Sequence, residues 1–170
     1  MLIKGIGAIC VILGCGAIGF QIAANYIKEE RALRQLISVL DFMTCELQYR
    51  LTALPDLCRM CSAESKGCVS KVFHFLYEEL TAQVSPDVGS CMTAALVKVK
   101  DLPPTTAEML NLLGSTLGRF DFSGQVRLLE SVRIQSRERL EQILVHKDVR
   151  VRSYKTLGLC AGAAMAILFI

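Results

Sequence analysis

Tryptophan is absent from this chain, and only four prolines and two histidines occur in its 170 residues. So few prolines leave long helices uninterrupted, because an interior proline removes a donor and clashes with the preceding turn. With His74 and His146 as the only histidines, no serine–histidine–acid set can be singled out. The phosphate-cradling spacing G-x-x-x-x-G-K-[ST] does not occur. A net charge of +3 is too small to argue for a nucleic-acid partner. Enzymatic chemistry has no foothold, so no catalytic, cofactor-binding or metal-ligating residue is expected.

The surplus is apolar. Hydrophobic residues make up 52% of the chain and mean hydropathy is +0.43, high for a soluble domain, with much of the excess at the two ends. Gly5 to Ile27 carries no charge. As a helix it spans roughly 34 Å, enough for a hydrocarbon core of about 30 Å. Its large aliphatic and aromatic side chains favour insertion by roughly 3–5 kcal/mol, which the glycines, Gln21 and Asn25 erode without cancelling. Two readings compete. A cleaved signal peptide has a basic start and a short apolar core, whereas only Lys4 precedes a run too long for one. Ile12-Leu13-Gly14-Cys15 resembles a lipobox, which would make Cys15 a lipidated anchor; bulky Leu13 and the long apolar run beyond Cys15 depart from that pattern.

The chain closes on a second apolar stretch, Leu157 to Ile170. It reaches about 21 Å as a helix, and about 25 Å from Tyr154 if Arg152 and Lys155 snorkel. Local thinning or tilt covers the remainder; a buried core helix is the competing reading. Small residues recur every fourth position in both stretches, at Cys15, Gly19 and Ala23 and at Gly158, Gly162 and Ala166, which lets helices approach closely. Lys28, Arg31 and Arg34 follow the first stretch, and Lys147, Arg150, Arg152 and Lys155 flank the second. The positive-inside rule then places the middle in the cytoplasm. The expected organisation is a transmembrane helix over 1–27, a cytoplasmic bundle over 28–153 and a second transmembrane helix over 154–170.

Eight cysteines raise the question of disulfides. Cys10, Cys15 and Cys160 lie in apolar stretches, where cysteine acts as a small hydrophobe. Cys45, Cys58, Cys61, Cys68 and Cys91 are an odd number without a repeating spacing, which fits a reduced cytoplasmic domain.

Helical periodicity dominates the middle. Leu33, Leu36, Leu40, Met43 and Leu47 form a heptad-like seam on a helix continuous with the first apolar stretch and ending near Arg50 to Thr52. Thr52 is placed as N-cap of a short helix through about Ala63 that buries Leu54, Leu57 and Cys61. After a turn at Ser65-Lys66-Gly67, Val69, Val72, Phe73, Leu76 and Leu80 define one apolar face. Ser85-Pro86-Asp87 introduces a helix with Val88, Met92, Ala95, Leu96 and Val99. Pro103-Pro104 is the strongest break, and Thr105 with Glu108 reads as a capping box for a helix burying Leu110, Leu113 and Leu117. Gly118 is placed as the residue that ends it. A long charged helix from Gln125 buries Val126, Leu129, Val132, Leu140, Ile143 and Leu144.

Two constellations invite chemistry. Cys58-x2-Cys61-x6-Cys68-x5-His74 offers zinc-type ligands, but Cys58 and Cys61 sit within a helix with no knuckle or turn beside them, so buried thiols and an exposed histidine are expected instead. Glu29-Glu30 and Glu78-Glu79 are adjacent on helices and point about 100° apart, so solvated faces are expected. Arg133, Arg137, Glu138, Arg139 and Glu141 read as an exposed face.

Ile12 to Phe20, the LRQL and CELQY runs within Arg31 to Tyr49, Leu117-Gly118-Arg119 with Asp121 and Gln125, and the closing Tyr154-Lys155-Thr156-Leu157-Gly158 together resemble the stage III sporulation protein AB family of endospore-forming Firmicutes. The resemblance implies an all-α cytoplasmic bundle of about six helices, similar to the cytoplasmic domain of type II secretion and type IV pilus platform proteins. It implies a non-enzymatic platform subunit of the mother cell–forespore channel, in the outer forespore membrane facing the mother cell cytoplasm. Implied partners are the lipid bilayer, the cytoplasmic ATPase of the same operon and other membrane and ring-forming channel subunits; self-association stays open. The alternative is an outward-facing binding module anchored through Cys15. Platform domains begin a helix hairpin with Y-x-x-x-P-L; here Ala53 stands where that proline is expected and Pro55 follows, which leaves the register of the turn open.

Overall fold

Leu33, Leu36, Leu40, Met43 and Leu47 are all buried, and the core is assembled around this one stripe. The structure, a computed structural model, describes residues 2–50, 52–82, 87–118 and 123–145, with side chains in the first helix given at Gln21 and from 24 onward. The described residues form helices α1 (Leu2–Arg50), α2 (Leu54–Glu64), α3 (Gly67–Ala82), α4 (Val88–Lys98) and α5 (Pro104–Thr116), and a further helix, α6 (123–145). No strand occurs among them, so the all-α, six-helix expectation holds. The chain divides into two units: Glu29–Glu141, which holds the core, and the two ends, 1–28 with 142–170.

Short connections make neighbouring helices antiparallel. Ser62 and Ser70 exchange hydroxyl-to-carbonyl bonds between α2 and α3 at 3.1 and 2.7 Å. Lys98 of α4 reaches Glu79 of α3 at 2.7 Å and lies over the Phe75 ring. Against α5, Gly89 lies by Ser115, Met92 by Gly114 and Val88 by Gly118, so these two helices run in opposite order. The core joins the α1 stripe to Leu57, Cys58 and Cys61 of α2, Val69, Val72, Phe73 and Leu76 of α3, Met92 and Ala95 of α4, Leu110 and Leu113 of α5, and Leu129 and Val132 of α6. Each large side chain so buried contributes about 1.5–3 kcal/mol, set against the conformational entropy of ordering it.

Helix ends follow local chemistry, with departures from expectation. α1 ends at Arg50, and Leu117 with Gly118 at φ 81° closes α5, both as expected. Thr52 is not the N-cap of α2. Ala53 holds that place and its carbonyl accepts from the Leu57 amide at 2.9 Å, while the Thr52 hydroxyl donates to buried Glu46 at 3.2 Å. This settles the register of the turn: Pro55 falls in the first turn of α2, where its missing N–H costs nothing. Cys58 takes the fully buried place expected of Leu54, which is only partly buried. The capping box at Thr105 does not form either. Pro103 is the N-cap in extended conformation, Glu108 is exposed, and the Thr105 hydroxyl meets the Glu29 carboxylate of α1 instead. Proline-fixed φ at Pro103 and Pro104 starts the helix two residues early.

The carboxylate pairs are less solvated than expected. Glu30, 12% exposed, accepts from Arg34, and Glu79, 15% exposed, holds Lys98. On α6 the buried face is shorter than the periodicity suggests. Leu129, Val132 and Ser136 are buried, whereas Val126, Leu140 and Ile143 are intermediate and Leu144 is exposed.

Among the described residues no helix is long and apolar enough to cross a membrane. The side chains of most of Gly5–Ile27, and all of 154–170, lie outside the described residues, and so do Ser85, Pro86 and His146.

Candidate functional site

The cysteines of the zinc-like spacing do not converge with the histidine. Cys58 and Cys61 are fully buried in α2, whereas His74 on α3 is 58% exposed and lies 3.5 Å from Glu78 one turn on. Among the described residues no group of three or more histidine, cysteine, aspartate or glutamate side chains could hold a metal ion.

Burial decides the thiol chemistry. Desolvation pushes the Cys58 thiol up to about 12, and Cys61 higher still, with the neighbouring Cys58 and Glu46 adding to it. A thiol is nucleophilic only as thiolate, so both are inert at neutral pH. We expect Cys45, exposed on α1, to react with a maleimide reagent at pH 7.5 in the folded protein, and Cys58 and Cys61 only after denaturation. In the unfolded chain these thiols lose their protons near pH 9.0, whereas the folded protein holds them to about 12 or beyond. Their contribution to stability is therefore complete below pH 9 and falls above it by about 1.4 kcal/mol per pH unit per thiol. Denaturant titrations at pH 8, 9 and 10 measure this.

Gly14-x-Gly16-x-x-Gly19 has the spacing of a dinucleotide-binding turn, but that turn needs a strand before it and a helix opening after it. Here the three glycines lie inside the continuous α1 backbone, so the spacing carries no such site.

The polar contacts that tie helices together are structural in kind. Arg133 of α6 donates to Asp41 of α1 at 2.7 Å and also pairs with Glu130, while Arg137 approaches Asp41 at 3.7 Å. The two carboxylates raise the Arg133 guanidinium further above its ordinary value. Arg133 is thus turned inward, at 27% exposure, and does not belong to the open charged face on which Arg137, Glu138, Arg139 and Glu141 lie. Sequence reasoning missed the Arg133–Asp41 contact because the two residues are 92 positions apart and charged residues recur along α6 and along the second half of α1. Glu46 is buried beside Thr52 and Arg50. Nothing in these groups assembles a nucleophile, a base and an orienting partner. What the described residues offer is surface.

Comparison with known proteins bears on the whole chain. The family model described as stage III sporulation protein AB matches residues 4–170. Stage III sporulation protein AB of Bacillus subtilis (strain 168) is 25% identical over 175 residues, covering 99% of this chain and 100% of that protein. A solved structure of stage III sporulation protein AB superposes with a TM-score of 0.64 at 21% identity, over 72% of this chain and 98% of that one, which supports the fold. With the family model spanning nearly every residue, the chain belongs to the stage III sporulation protein AB family.

Proposed function

We propose that this chain is a non-enzymatic membrane platform subunit of the channel between mother cell and forespore, holding a helical bundle against the membrane for a cytoplasmic ATPase and the other channel subunits. One observation carries the reading: α1 runs from Leu2 to Arg50 without a break, so the uncharged stretch Gly5–Ile27 leads directly into the core stripe Leu33–Leu47. At about 1.5 Å per residue the uncharged stretch alone is long enough for a bilayer core, so it can be anchored while the chain beyond it nucleates the bundle. The second apolar stretch, Leu157 to Ile170, would supply the other leg of a membrane hairpin. Basic residues at Lys28, Arg31 and Arg34 then mark the cytoplasmic side of the first leg.

The reading is tested in sporulating cells. The chain is expected to resist alkaline carbonate extraction, and Cys45 to be labelled by a membrane-impermeant maleimide only after the mother cell is opened. Crosslinking followed by purification is expected to recover the ATPase and channel subunits. Labelling of Cys45 in intact cells, release by carbonate, or diacylglycerol on Cys15 would each overturn it, the last in favour of a lipid-anchored module.

A further inference from the structure

Two turns of the bundle lie at the end where the chain enters it. The amide of Lys66, in the α2–α3 turn, donates to the Gln35 side chain at 3.1 Å. The hydroxyl of Thr105, at the start of α5, meets the Glu29 carboxylate. Gln35 lies about 9 Å beyond Glu29 along α1. The α4–α5 turn, 99–103, is therefore the one held against the first residue of the bundle unit. Glu29 itself stands just two residues after the uncharged stretch Gly5–Ile27 ends. Even fully extended, two residues span no more than about 7 Å. The headgroup layer on each side of a bilayer is about 5–8 Å deep. With Gly5–Ile27 seated in the bilayer, Glu29 and the turn it holds stay in or beside that layer, however the bundle is tilted.

The chemistry of the turn suits that place. Lys100 is exposed and forms no ion pair among the described residues, while the turn's one acid, Asp101, already has a partner. Lys98 is drawn away to Glu79 and Phe75 of α3 and contributes nothing here. Pro103 and Pro104 carry no amide hydrogen, so this backbone has two fewer donors to leave unsatisfied on losing water. On the last turn of α4, Val97 is 77% exposed. An uncovered aliphatic side chain close to a lysine matches a boundary between hydrocarbon and charged headgroups. We propose that the α4–α5 turn rests on the membrane that anchors the chain, with Lys100 among anionic lipid headgroups and Val97 at their edge. This deepens the platform reading and rests on its membrane anchor. The contact gives the bundle a second hold on the bilayer. Tyr49, 81% exposed and about 30 Å from Glu29 along α1, is left away from the lipid.

Because the chain has no tryptophan, a single introduced indole reports its own surroundings. The full-length chain carrying Val97→Trp is reconstituted into vesicles of phosphatidylcholine and phosphatidylglycerol in equal parts, with some of the lipid brominated near the top of its acyl chain. Its emission is expected to lie to the blue of that from a Tyr49→Trp chain, and to be quenched by the brominated lipid where Tyr49→Trp is not. Adding Lys100→Glu is expected to cut the quenching at least about twofold in these vesicles and to leave it unchanged in phosphatidylcholine alone. Lys66→Glu changes net charge equally from the other turn and is expected to leave the quenching in place. Circular dichroism confirms folding of each variant. If Val97→Trp stays unquenched in a chain that withstands carbonate washing, this proposal is overturned and the anchor stands. Equal effects of Lys100→Glu and Lys66→Glu overturn it too, because net charge alone would then be at work. A chain washed out of the vesicles by carbonate overturns the anchor, and this proposal with it.

Discussion

Replacing Phe73 with alanine is expected to lower the stability of the bundle by about 3–5 kcal/mol. Phe73 heads the fully buried side chains in size and lies in α3 between Val69, Val72 and Leu76, all of them fully buried. Its removal combines the lost transfer free energy of a phenyl ring with a cavity that helix backbones, fixed by their own hydrogen bonds, close only in part. Domains of this size hold about 5–15 kcal/mol in total, so the loss is a large fraction of the whole. Two residues along, Phe75 is a built-in control. It is partly buried and covered by the Lys98 ammonium at 5.3 Å, so Phe75→Ala sacrifices less apolar burial and a cation–π contact of about 0.5–1 kcal/mol. Urea titrations of the full chain in micelles, followed by circular dichroism, give both values. Equal losses at the two positions would sink this assignment of the core.

Gly114→Ala is expected to destabilise the protein although it replaces a glycine inside a helix. On propensity alone the change gains about 1 kcal/mol. A Cβ built on Gly114, however, falls 2.4 Å from both Cβ and Cγ of Met92, which is itself fully buried. Two helices held by a common core cannot separate there without opening their neighbours, and overpacking of this kind costs about 1–3 kcal/mol. The expected net loss is therefore up to about 2 kcal/mol, and the sign is the test. Met92→Ala is not expected to rescue it, because the Met92 Cβ remains in place. Unchanged or raised stability in Gly114→Ala would show that α4 and α5 do not cross this closely.

Much of the bundle is legible in the amino-acid order. The spacing of Leu33, Leu36, Leu40, Met43 and Leu47 names the face of α1 that is buried, and the spacing of Val69, Val72, Phe73 and Leu76 does so for α3. Periodicity works here because a helix must bury one stripe, and nothing else supplies as much free energy. The end of α5 at Gly118 is legible for an equally local reason, since positive φ is cheap only for glycine. Capping was the least legible feature. Thr52 and Thr105 both have the side chain for an N-cap, but each spends its hydroxyl on a glutamate, Glu46 and Glu29 respectively, the second of them 76 positions away in the chain. A charged acceptor brought close by tertiary packing outcompetes a neutral local amide.

By itself, then, the sequence determined the six helices, the inward faces of α1 and α3 and the burial of Cys61. All follow from repeats of three and four residues and from side-chain chemistry, which act locally. Only the tertiary structure decided where Thr52 and Thr105 turn, that Arg133 clamps α6 to Asp41 of α1 and so leaves the charged face, and that Gly114 must stay small. It also decided that Lys98 turns toward Glu79 and Phe75 of α3. Such facts depend on which helices lie side by side and at what height. That is set by the packing of the whole core, and no stretch of chain carries it alone.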